Sequence, residues 1–168
     1  MASTSYLSRV IISEVPNGTT DLSSVSYAGT DYKLLVKAKS IPAPVGTPNP
    51  VESTTLEDDA QTFEEGIKTS DVKEFTGNLE KAYLEAIEAL KGKKVRIMYL
   101  YGTDGFGAVA KYAQVGTVTA TPSDVGGVDE ILEMSVSVTP NTVAKLVTNS
   151  YTVTESSGTF TVAAATTT

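Results

Sequence analysis

The residues closest to chemistry in this chain are carboxylates. Glu57-Asp58-Asp59 and, shortly after, Glu64-Glu65 are the residue types that acid–base catalysis or a calcium site would use. Neither use has its spacing. The ligand pattern of an EF-hand loop is absent, and no histidine occurs anywhere in the chain to partner a carboxylate. The cluster reads as a solvated or interface loop. Gly102-Thr103-Asp104-Gly105-Phe106-Gly107 resembles a phosphate cradle only superficially, because it lacks the Gly-Lys-Ser/Thr ending and opens no helix. Its Asp-Gly pair predicts a hairpin turn instead. Tyr99, Tyr101 and Tyr112, with the lysines of an early strand, could offer stacking faces to single-stranded nucleic acid. A net charge of −7 argues against that, since a grip on phosphate needs clustered Lys and Arg, so the rings are assigned to core and subunit contacts.

Composition removes most other chemistry. Cysteine and histidine are both absent, which excludes disulfides, thiolate ligands, the commonest metal ligand and the commonest general base. We therefore expect no enzyme, no cofactor and no metal. No apolar run approaches the roughly 18–20 residues of a membrane span, and MASTSYLSR lacks the basic and apolar regions of a signal peptide. The expectation is a cytoplasmic product with no membrane partner, folded as one domain over 1–168.

The elements that position these residues are organised around Thr76–Tyr101. Leu79, Tyr83, Ala86, Ile87 and Leu90 fall at helical spacing, with Glu80, Lys81, Glu85 and Glu88 on the other faces. A helix over about 78–91 is predicted, with Asn78 as N-cap, Gly92 as its left-handed terminus, and Glu80 and Lys91, Lys93 and Lys94 complementing its dipole. Leu79, Tyr83, Ile87 and Leu90 should pack it on a sheet. Val95–Tyr101 follows as a strand with almost no polar position, so burial on both faces is expected.

Strands are also predicted at Ser5–Glu14, Asp31–Lys39, Lys111–Thr121 and Glu130–Thr139, the last two as partners. In the last of these Leu132, Met134, Val136 and Val138 should point inward. Two short pieces, Ala144–Val153 and Thr159–Ala163, hinge at Ser156-Ser157-Gly158. The fold class is mainly β (α+β): two packed antiparallel sheets forming a sandwich or half-barrel with one flanking helix. Residues 151–168 are a last hairpin or a C-terminal extension.

Residues 41–75 are the anomaly. Pro42, Pro44, Pro48 and Pro50 open the segment, and Val51, Leu56, Phe63, Ile67 and Val72 are spaced through an acidic stretch. Some thirty such residues inside a compact domain are functional or pack on something outside it. Single apolar residues on a charged arm suit docking on a neighbouring subunit. Self-assembly is the implication, and Leu56, Glu57, Asp58, Asp59, Phe63, Gly66 and Ile67 are the candidate assembly residues. The alternative is a monomeric immunoglobulin-like or carbohydrate-binding module, which Thr, Ser and Tyr richness fits but the helix and the acidic arm do not.

The run Thr54–Phe63, followed by Gly66-Ile67 and Phe75, resembles a stretch of the major tail tube proteins of long-tailed, non-contractile bacteriophages. The order of parts over about 5–150 is similar too, including Val115-Gly116-Thr117-Val118 and Ser137–Pro140. The resemblance implies a structural virion protein, similar in fold to type VI secretion tube proteins. Such subunits close hexameric rings that stack into a tail tube, with the long loop reaching the adjacent ring. It also implies as partners other copies of the chain, a tape measure protein, a tail terminator and distal tail proteins. Genomic DNA would pass through the lumen without specific binding, and acidic residues lining that lumen would repel it.

Overall fold

Strand β7 (Val95–Tyr101) has six of its seven residues buried, and the sheet extends from it on both sides. β1 (Arg9–Glu14) pairs along one edge and β8 (Ala110–Pro122) along the other, both antiparallel. Because side chains alternate along a strand, these three elements supply two separate cores. Val95, Ile97 and Tyr99 face a first core with Val10, Phe75 and Met134, whereas Met98 and Leu100 face a second with Tyr32, Val115 and Phe160. The computed structural model describes residues 4, 6–57, 59–66 and 71–165.

The remaining strands of the main sheet are β2 (Gly29–Leu34), β3 (Ala38–Ser40), β6 (Lys73–Asn78), β9 (Glu133–Pro140), β10 (Lys145–Leu146), β11 (Tyr151–Ser156) and β12 (Thr159–Ala164). Their order in the sheet is β11-β12-β2-β1-β7-β8-β9-β6-β3, with β10 on β8. β2 and β3 are neighbours in sequence yet lie far apart in that order. The sheet must therefore curl into a half-barrel whose gap is spanned by residues 29–40. The Leu35 amide still donates to the Val10 carbonyl at 2.9 Å, while Ala38 already pairs with Gly77. The single strand expected over Asp31–Lys39 is thus two. Leu35 and Val36 are adjacent and both buried, which breaks period-2 alternation at the bend. Gly77 permits the close approach of β3, since a Cβ there would sit 2.7 Å from both the Lys37 carbonyl oxygen and Val36 Cγ2.

Several boundaries differ from expectation. The long segment ends at 72, because Phe75 is fully buried and Lys73–Asn78 pairs with β9 along its whole length. Asn78 accordingly closes a strand and caps no helix. Helix α1 is Lys81–Ala89, with Glu80 at the N-cap in extended conformation and without a side-chain capping bond. Glu80 instead lies 3.5 Å from Lys37. No acidic residue occupies the first turn and no basic one the last, so of the predicted dipole complement there remain Glu80 at the N-cap and Lys91 just past the C-cap Leu90, while Gly92 does adopt a left-handed φ of 78°. Ile87 is buried in the first core, and Leu79, Tyr83, Leu90 and the unforeseen Leu84 pack half-buried against it. β9 starts only at Glu133, leaving Leu132 half-exposed, but Met134, Val136 and Val138 point inward and β8 is the partner. The second layer is made by the same sheet: the hairpin β11–β12 pairs with β2 and buries Val153, Phe160 and Val162 in the second core. The stretch Ala144–Val153 divides between β10 and the start of β11.

Two polar groups organise the interior. Arg96 is buried on the second-core face, donating to the carbonyls of Ser26 and Ala28 at 3.1 and 2.9 Å and to Ser13 Oγ at 2.9 Å, with its guanidinium over the Tyr32 ring. Bonds from a charged donor contribute roughly 1.5–3 kcal/mol each, so Arg96 fixes the loop between β1 and β2. Inside the first core, Gln114 Nε2 donates to the Tyr99 hydroxyl at 2.8 Å.

Ile87→Asp places an unpaired charge in the first core and should abolish the cooperative unfolding transition; Ile87→Ala should lower unfolding free energy by about 2–5 kcal/mol in a urea titration. Burial raises the Tyr32 and Tyr99 hydroxyl pKa values, and burial followed by the Tyr112 neighbour pushes Tyr101 up to about 12. These groups stay protonated in the fold beyond the unfolded value near 10, so their stabilisation is complete below about pH 10 and is lost as pH rises through about 12. Parallel absorbance and circular-dichroism titrations should show late-ionising tyrosines appearing together with unfolding. Eight tyrosines titrating near pH 10 in a folded protein would contradict this.

Candidate assembly surface

The segment between β3 and β6 is a β-ribbon. β4 (Pro50–Glu52) and β5 (Phe63–Glu65) pair antiparallel as a two-stranded sheet separate from the half-barrel. The Gly66 amide donates to the Asn49 carbonyl and the Ser53 amide to the Thr62 carbonyl, both at 2.9 Å, so the ribbon runs from 49 to 66. Its tip is held by the Thr62 amide donating to Thr54 Oγ1 at 2.9 Å. β-branched and aromatic residues at Val51, Thr62 and Phe63 favour this extended form. At its base only glycine fits position 66, since a Cβ would meet the Asn49 carbonyl oxygen at 2.3 Å.

Nothing on this ribbon is buried in β4 or β5. Val51 opposes Glu64, and Phe63 opposes Glu52 on the other face. Phe63 is 56% and Val51 57% exposed, Leu56 at the tip is wholly exposed, and Glu57 and Asp59 are exposed. Asp58 and Ile67 lie outside the described residues. An isolated two-stranded ribbon is at best marginal in water, and here its apolar side chains stay largely exposed on their own subunit.

Charge is divided unevenly. Residues 49–66 hold six carboxylates and no Lys or Arg, and 123–133 holds four and none. The remaining 10 carboxylates face 13 basic residues, a net +3 for the rest of the chain. Acidity is therefore concentrated on the ribbon and on the β8–β9 loop. That loop was not foreseen as a surface feature, yet it exposes Val125, Val128, Ile131 and Leu132. Its signal was present in sequence as apolar residues interrupted by Gly126-Gly127, and reading Glu130–Thr139 as one strand hid it.

The other candidates belong to the body. Residues 102–107 connect β7 to β8, and Asp104 Oδ1 accepts from the amides of Phe106 and Ala108 at 3.0 and 3.2 Å. Desolvation opposes its ionisation, but these amides prevail and hold its carboxyl below the usual range. Tyr99 is fully buried, and Tyr101 and Tyr112 pack edge-to-face, 6.3 Å apart, against the first core. Among the described residues no three Asp or Glu side chains converge as metal ligands.

No protein-family model matches the chain, and no curated protein matches it. Among solved structures, a chain of the anti-feeding prophage (AFP) baseplate, determined by cryo-electron microscopy with 6-fold symmetrisation, superposes with a TM-score of 0.50. The match covers 87% of this chain and 95% of that one at 9% identity. At that identity the likeness is one of fold.

Gly66→Val should open the base of the ribbon while sparing both cores, because β4 and β5 pair with no strand of the main sheet. Limited proteolysis should cut within 49–66 several-fold faster, at an unchanged global melting temperature. An unchanged cleavage rate would contradict the role assigned to Gly66.

Proposed function

We propose that this chain is a structural subunit of a phage-tail-type particle, a tail tube protein that closes six-membered rings and stacks them through the ribbon at 49–66. The observation that carries the reading is the ribbon itself. It projects exposed Phe63, Val51 and Leu56 on an all-acidic background, a combination that is soluble on the free subunit and gains free energy only against another surface.

The fold likeness to a chain of a 6-fold symmetrised baseplate supports the ring reading. So does the sheet. β11 stands at one end of the strand order and its outer edge has no partner strand among the described residues, the kind of edge that ring closure covers. In this reading the subunit does no catalysis. Its partners are copies of itself and, at the ends of the tube, the tape measure, terminator and distal tail proteins. DNA passes through the assembled channel, and the particle's location is the virion tail.

Phe63→Asp, alone or with Ile67→Asp, should leave a folded subunit with an unchanged circular-dichroism spectrum. Negative-stain electron microscopy should then show tubes from the wild-type protein and none from the variants. Tubes of normal length from Phe63→Asp would overturn the stacking role of the ribbon.

A further inference from the structure

The ribbon and helix α1 attach to opposite ends of the half-barrel. β6 is entered from the ribbon side at Lys73 and leaves toward α1 at Asn78. β7 returns from α1 at Val95 to Tyr101, where Tyr101 and Gly102 share a cleft with Ser40 and Ile41, the residues from which the ribbon segment departs. A contact between the ribbon of one copy and the helix end of another therefore runs head to tail, and a head-to-tail contact propagates.

The helix end holds a receptor of matching chemistry. A cleft of about 250 Å³ opens between the second half of α1 and strands β1 and β2, with Ile12, Leu34, Ala86, Ala89 and Leu90 as its apolar wall and Lys33 on its rim. Lys91 follows directly after Leu90, and Lys93 comes after the turn at Gly92. The two carboxylates that line the cleft are already engaged: Glu14 lies 3.7 Å from Lys93, and Asp31 accepts from Ser13 Oγ at 2.7 Å and lies 3.7 Å from Arg96. Lys33 and Lys91 have no carboxylate within ion-pair distance among the described residues. An apolar slot with a cationic rim is the complement of an aromatic ring flanked by carboxylates. The ribbon presents that arrangement, with Phe63 opposite Glu52 across the ladder and on the same face as Glu65 two residues along. The acidic β8–β9 loop lies toward the other end of α1, where the Leu132 carbonyl accepts from the Leu79 amide, and would repel the ribbon from that side.

We infer that the cleft between α1 and β1–β2, with Lys33 in its lining and Lys91 next in sequence to Leu90, receives the Phe63 edge of the 49–66 ribbon from a second copy of this chain. The inference rests on the stacking reading above and names its docking site. The test replaces Phe63 by the photoreactive p-benzoylphenylalanine, which keeps an aromatic ring, and mixes this protein with isotope-labelled wild type. Mass spectrometry after irradiation then maps the acceptor residues on the labelled copy. Crosslinks should fall within 33–34 and 86–91, and Lys33→Glu/Lys91→Glu in the labelled copy should lower their yield about tenfold. Tubes together with inter-copy crosslinks elsewhere, in 123–132 for example, would overturn the docking site and leave the stacking reading standing. An absence of both tubes and inter-copy crosslinks would overturn both.

Discussion

A strand with no face to spare for water constrains everything else in this molecule. Val95–Tyr101 buries side chains on both sides, so cover must come from both directions. One side is covered by curling the sheet until Phe75, Met134 and Val136 close over it, with Ile87 of α1 packed among them. The other is covered by the C-terminal hairpin and the loop that Arg96 holds in place. Both solutions use the same continuous sheet, which is why the separate second sheet is only the two-stranded ribbon.

That accounting leaves the ribbon outside. Its two strands pair with each other from 49 to 66, so it has a definite shape, yet its apolar residues remain largely in water. It carries six carboxylates, and the rest of the chain, apart from the β8–β9 loop, is net basic. A molecule built this way is polar from end to end. In the stacking proposed above, attraction between unlike ends and repulsion between the ribbon and the acidic loop would favour one relative orientation of neighbouring copies.

Much of this was legible in the residues. The apolar run at 95–101 announced a doubly buried strand, Met134, Val136 and Val138 announced their inward face, and the prolines at 42–50 announced a segment apart from the sheet. What was misread was decided by tertiary context. Asn78 is a good N-cap by type, but Lys73, Phe75 and Gly77 alternate inward and draw Asn78 into a strand, leaving Glu80 at the helix start. Asp31–Lys39 alternates like one strand, and only the demand to close the sheet bends it at Leu35-Val36. The ribbon pairing was hidden because β4 and β5 have just three residues each, too few for a period to be read.

Sedimentation velocity on the intact protein, across a range of concentrations at low and high salt, tests the central claim most directly. The account predicts that the mean sedimentation coefficient rises with concentration and that salt weakens the association, because charge pairing between exposed groups is screened. A single boundary at the 17.6 kDa monomer under every condition would contradict it.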